Sequence, residues 1–400
     1  MLVNGRALVN WCFMLFPRRT QGNHAAPPSA VLPFAAPSRG LTRRSCLLLP
    51  ALAACGRRSV DAFRGYAFIA NQEGKAVAAL DLEVMAVARH IALEGAPTQM
   101  LAPANKAAVY ALTPETGTIH EIQVYRLSLA RKASIASSAV SMALAPDERS
   151  LYLLARAPRS VISVSLESLL PQWRLNLTED PVDFAVAPAG GKAAISTTQG
   201  VWLADLPNRR LMGPLARGDF GALRFRSDGK MLIAANRGER RLSLFDAATG
   251  GLIAHLPVSV RPDYLCFNAD GGQLYVTGEG MDAVVIVYPF QTEVAATILA
   301  GRAPAAMAAS SSYLFVAGPE SGGVTILRVA DYKLIGLLQT GEDPGYVSIT
   351  PGEEYALVLN RKSGDVAVLD LRRIGLNKSL GLLTVIPVGS RPVSAAVRSV

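Results

Sequence analysis

Residues 355–370 read Tyr355-Ala-Leu-Val-Leu-Asn-Arg-Lys-Ser-Gly-Asp-Val-Ala-Val-Leu-Asp370, two short apolar runs joined by a polar turn. Runs of this length, rich in Val, Leu and Ala and bounded by Asn, Gly and Asp, read as strands, and so short a join makes them a hairpin. The same script occurs at residues 66–81 and 231–246. Working outward, apolar strand starts recur at Tyr66, Val109, Leu151, Ala193, Met231, Leu274, Leu314 and Ala356, spaced 38–43 residues apart. Each hairpin is followed by a third apolar segment, such as Gly251-Leu-Ile-Ala-His-Leu-Pro-Val. A Pro-containing or acidic loop then leads to a fourth, such as Val182-Asp-Phe-Ala-Val-Ala-Pro. Asp228-Gly229 and Asp270-Gly271 mark tight turns that need positive φ. Alternation of period two throughout argues for strands and against amphipathic helices.

Four strands in every forty-odd residues is the pattern of a propeller blade. The reading is all-β, a propeller of eight four-stranded blades. The count falls to seven if the weak unit near Ala193, which has the shortest interval, is an insertion. The chain starts inside a blade, at the strand after the innermost one. It ends with Val393-Ser-Ala-Ala-Val-Arg, which supplies that missing innermost strand and seals the ring in the first blade.

Leu274-Tyr-Val-Thr-Gly, with its relatives at Leu314 and Met231, resembles the bacterial YVTN/YncE-like repeat family. The pattern of residues 344–351, Pro-x-x-Val-x-Ile-x-Pro, and the Asp-Gly turns fit the same family. The resemblance spans roughly residues 65–398. It implies a propeller, usually of seven blades, so that eight is a departure, and it implies little about activity.

Residues 42–56 read Thr-Arg-Arg-Ser-Cys-Leu-Leu-Leu-Pro-Ala-Leu-Ala-Ala-Cys-Gly: arginines, an apolar run, then small residues before Cys55. That order is a secretory signal. Leu52-Ala53-Ala54-Cys55 resembles the bacterial lipobox, which implies a lipid on Cys55 and an exported, membrane-anchored protein in the periplasm or on the cell surface. Arg43-Arg44 is read as the positive charge of the leader. A membrane-spanning helix needs about twenty apolar residues, and Pro50 interrupts a much shorter run. The expected division is a leader over 1–54, a short tether over 55–64 and the propeller over 65–400.

The formal charge of +9 is largely a property of that leader, which holds Arg6, Arg18, Arg19, Arg39, Arg43 and Arg44 and no acidic residue. The remainder is close to neutral. With aromatic residues at 6% it lacks the basic groove and stacking platforms of a single-strand DNA binder. Of four cysteines only Cys55 and Cys266 lie beyond residue 54, which argues against a disulfide framework or a thiolate metal site.

In a propeller, the loops leading into the inner strands and those between second and third strands surround one mouth of the channel. Here they carry Arg261, Arg302 and Arg391 with Asp180, Glu342 and Asp343, and the neighbouring loops add Asn236 and Asn360. Three guanidiniums facing carboxylates and amides suit a polar or anionic ligand. Solvated turn residues explain the same pattern. His90, His120 and His255 fall in outer strands of different blades, so no metal site is expected. No catalytic elbow, zinc helix, P-loop or dinucleotide fingerprint is present, and no cofactor is expected. Two tryptophans beyond the leader, Trp173 and Trp202, do not supply the repeated docking residues of quinoprotein dehydrogenases, nor is a suitably placed axial His for a haem-d1 propeller found.

The leading expectation is a non-catalytic, monomeric binding protein that recognises a protein, peptide or glycan at the channel mouth. An alternative is a lactonase-like hydrolase using carboxylates there. Single-stranded DNA binding ranks third.

Overall fold

The computed structural model describes residues 63–376 and 379–400. The leader, the lipobox with Cys55 and all but the last two residues of the tether lie outside them. The described chain forms eight antiparallel sheets of four strands. Blade 1 takes its inner strand from the C-terminus, Pro392–Ser399, and its other three from Gly65–Asn71, Ala76–Asp81 and Ala86–Ala92. The inner strands of blades 2 to 8 are Gln99–Leu101, Ser138–Leu144, Pro181–Val186, Phe220–Phe225, Tyr264–Phe267, Met307–Ala309 and Pro344–Ile349. Each inner strand touches its counterpart in the next blade, and blade 8 touches blade 1, so the ring is closed. Pairs running from Gly65↔Ser399 to Asn71↔Pro392 make the seal.

The weak unit near Ala193 is a full blade, with strands Pro181–Val186, Lys192–Thr197, Gly200–Asp205 and Arg210–Arg217, and this fixes the count at eight. Its interval is short because only Thr198 and Gln199 join its second and third strands and only Gly218 and Asp219 lead from its outer strand into the next inner strand.

Period-two alternation holds only for the outer strands. Leu252–Pro257 alternates in exposure near its end, whereas Ala108–Thr113, Met231–Asn236 and Tyr355–Asn360 are buried along their whole length. The second and third strands have a blade on each side, so both faces of the sheet are covered and both must be apolar. The core is accordingly divided into eight apolar clusters, each filling one seam between neighbouring blades. Leu80, Leu357, Val368 and Val397 fill the closing seam of blades 8 and 1, each side chain worth roughly 1.5–3 kcal/mol when fully buried.

The turns from first to second strand rely on glycine in the left-handed region, with φ of 70° at Gly229 and 75° at Gly271, as the Asp-Gly signals require. These turns lie on the lower face. The loops into the inner strands and those between second and third strands share the opposite, upper face.

Candidate functional site

The upper face is built from paired charges. Arg391 bonds Gln72 at 3.0 Å and pairs with Glu73 at 3.3 Å within blade 1. Arg159 reaches across from blade 3 to Asp180 at the start of blade 4, at 2.6 Å. Arg237 pairs with Asp219 in blade 5. Arg261 lies between Asp263 at 3.0 Å and Glu279 at 2.6 Å in blade 6. Arg302 faces Glu320 at 3.7 Å in blade 7, and Arg361 bonds Asp343 at 3.1 Å in blade 8. The three arginines expected to converge on one ligand therefore sit in blades 1, 6 and 7, each neutralised by a carboxylate of its own blade.

Backbone geometry shares in placing these groups. Asp343 and Arg391 each precede a proline and adopt φ of 57°. A residue before proline is disfavoured in the right-handed helical region. Here the left-handed region reverses the chain into the inner strand. Asn236 and Asn360 are buried and close the turns after second strands. Asn236 exchanges bonds with Glu239, taking its amide N–H at 3.0 Å, and Asn360 donates to the Thr340 carbonyl at 3.0 Å and to Asp365 at 2.6 Å. Glu342 is exposed and its carboxylate has no partner among the described residues.

Glu179 is a carboxylate of this rim with its side chain largely enclosed, 9% exposed. It accepts from Thr197, from Trp202 Nε1 at 3.0 Å and from Arg217 at 3.3 Å. Burial raises its pKa, but these three donors outweigh burial and hold the carboxyl below its ordinary value. His120 is buried in the third strand of blade 2 with Nε2 against Thr113 Oγ1 at 3.1 Å, and burial lowers its pKa. His90 and His255 lie in outermost strands.

An open recess of about 520 Å³ lies on this face between blades 2 and 3, lined by Glu115, Thr116, Ser134–Ser137, Pro158 and Arg174. Glu115 and Arg174 have no ion-pair partner among the described residues. Sequence reasoning missed both. Glu115 lies in the 3-10 turn Pro114–Thr116, in the second-to-third-strand position, so its place was legible. Arg174 comes from an outer strand, whose upper end is visible only in the folded ring.

Beneath the face, polar side chains clasp one inner strand to the next. Ser394 accepts from Met100 N at 3.1 Å. Gln99 accepts from Met142 N at 2.8 Å and donates to Met142 O at 2.7 Å. Asp183 accepts from Leu223 N at 3.0 Å, and Tyr346 donates to Ala395 O at 3.4 Å. Each satisfies a backbone edge that has no strand partner. All four stand two residues after the proline that opens the inner segment, namely Pro392, Pro97, Pro181 and Pro344. That spacing was the sequence signal.

No protein-family model and no curated protein matches this chain by sequence. By structure it is similar to dihydro-heme d1 dehydrogenase NirN in complex with DHE, at 14% identity and a TM-score of 0.70, over 83% of this chain and 75% of that one. It is similar to apo AztD from Citrobacter koseri at 13% identity and a TM-score of 0.64, over 84% and 99% of the two chains. A functionally unknown protein from Desulfotomaculum acetoxidans aligns at 12% identity and a TM-score of 0.56, again over 84% and 99%. At these identities the likeness is one of fold.

Proposed function

We propose that the chain is a binding protein whose upper face recognises a protein or peptide, centred on the recess between blades 2 and 3. The observation that carries this reading is the contrast within that face. Most of its arginines are neutralised by neighbouring carboxylates, while Glu115 and Arg174 present unpaired charges of opposite sign across an open recess. A peptide offers both signs of charge and backbone donors and acceptors to such a surface, and a rigid ring loses little entropy on binding it.

The reading includes export and a lipid on Cys55, supported by the order of arginines, apolar run and cysteine in residues 42–56. Phe63 and Arg64 enter blade 1 at the lower face, where Val400 N bonds the Arg64 carbonyl. Eight steps of chain from Cys55 to Phe63 span at most about 30 Å, so an anchor there would keep the lower face near the membrane and turn the recess outward.

The test is photo-crosslinking in cells expressing the full chain, with the reactive residue at Thr116 or Ser137 in the recess or at Phe290 on the lower face. The expected result is a discrete adduct from the recess positions only, lost on combining Glu115→Lys with Arg174→Glu. Equal adducts from Phe290, or adducts indifferent to the charge reversal, would overturn the reading. Lactone hydrolysis by the purified chain that the recess variants leave unchanged would also overturn it.

A further inference from the structure

The lower edge of the ring carries a feature that the upper-face reading does not use. In four consecutive blades the turn from third to outer strand leaves an apolar tip open to solvent. The tips are Leu376 in blade 8, Val84 in blade 1, Tyr125 in blade 2 and Leu170 in blade 3, each 62–71% exposed. The same turn presents Asn208 in blade 4, Thr249 in blade 5 and Asp331 in blade 7. Blade 6 has Phe290 there, with the Arg226 guanidinium over its ring at 4.6 Å. The apolar arc thus spans blade 1, where Phe63 and Arg64 enter the ring and where Val400, also exposed, ends it. Apolar side chains gathered on one side of a surface mark a protein or membrane contact.

We propose that this arc rests on a lipid surface with its four tips among the headgroups, an inference that builds on the reading of Cys55 as a lipid anchor. Cys55 stands eight residues before Phe63, so the anchor lies within about 30 Å of blade 1 and draws that side of the ring to the bilayer. The tips stand singly, one to a blade, with exposed polar residues such as Glu83 and Arg126 beside them. A protein partner needs a continuous core of matching shape, whereas fluid headgroups close around separate tips. Tyr125 suits that depth, because its ring is apolar and its hydroxyl can stay wet. Beside it, Arg126 has no ion-pair partner among the described residues. With Lys106 and Glu121 it borders an open recess of about 460 Å³, which gives a headgroup phosphate room. Glu121 is already paired with Arg131, and a guanidinium can take two phosphate oxygens at once. One acyl chain alone holds a protein only marginally, and a second contact strengthens and orients the attachment.

The experiment places a solvent-sensitive fluorescent amino acid in the full chain, at Tyr125, Asn208 or Thr116 in turn. The purified protein is joined to vesicles of phosphatidylethanolamine and phosphatidylglycerol that carry a nitroxide on some headgroups. Quenching is expected to be at least about threefold stronger at Tyr125 than at Asn208, and absent at Thr116 on the upper face. Combining Val84→Ser, Leu170→Ser and Leu376→Ser, all at exposed positions, is expected to cut the Tyr125 quenching at least about threefold. Mass spectrometry of the same sample reads the lipid on Cys55 separately. If no lipid is found, the anchor reading fails, and quenching at Tyr125 by added vesicles still supports the arc. Equal quenching at Tyr125 and Asn208, none at either, or no loss in the triple variant would overturn the proposal, whether or not the lipid is present. A blue shift at Tyr125 that grows with protein concentration, without quenching, would assign the arc to a second copy and overturn it too.

Discussion

The rim of the upper face and the channel wall beneath it both contain arginine–carboxylate pairs, under opposite conditions. On the rim, Arg391 and Glu73 are 46% and 63% exposed, and water and salt share in solvating them. In the wall, the side chains of Arg224 and Asp183 are 7% and 11% exposed and are largely enclosed by protein. An exposed pair gains little, because Coulomb energy in water is small and two long side chains must be held still. A buried pair has already lost its hydration, so removing one partner strands the other. The rim can therefore vary in sequence and in partner at small cost to folding, and the wall cannot. The proposed recognition surface on a stable ring needs that division.

The largest expected effect lies in the wall. Arg224→Gln removes the partner of a buried carboxylate and is expected to destabilise the fold by about 3 kcal/mol, read as a lower urea midpoint. A loss within error would mean that water enters the channel freely at this depth and that the wall behaves like the rim.

A second effect comes from Glu179, which belongs to the rim by position and to the interior by contact. Its carboxyl is held below the ordinary value of 4.5 by Thr197, Trp202 and Arg217. A depressed carboxyl adds stability that is present above its unfolded value and lost as pH falls through the folded one. The advantage of wild type over Glu179→Gln should be constant above 4.5 and shrink below it in acid titrations of the unfolding midpoint. An advantage that grows with acid would place Glu179 with the carboxyls dominated by burial, such as Asp183.

The same division explains what the sequence disclosed. The blades were legible because turn residues and apolar runs are local and recur every forty residues, and ring closure followed from the leftover strand at each end. The short unit near Ala193 was ambiguous because interval length was the only cue, whereas its four apolar segments decided the matter in the fold. At the mouth, the loops holding Arg261, Arg302 and Arg391 were legible, but their partners were not. Glu320 and Glu73 lie across hairpins, and Asp180 receives Arg159 from the preceding blade. Asn236 and Asn360 looked open because a polar residue after an apolar run suggests exposure. They are buried because a turn behind an enclosed strand still needs its backbone bonds met. Asp183 was read as part of an apolar strand, and only the packing of two blades brings Arg224 to the same wall.

Paired double-mutant cycles test the central claim most directly, one on Asp183→Asn with Arg224→Gln and one on Glu73→Gln with Arg391→Gln, followed by urea unfolding of the full chain. The division of wall from rim predicts a coupling above about 2 kcal/mol for the wall pair and below about 0.5 kcal/mol for the rim pair. Couplings of equal size, or a larger one on the rim, would contradict it.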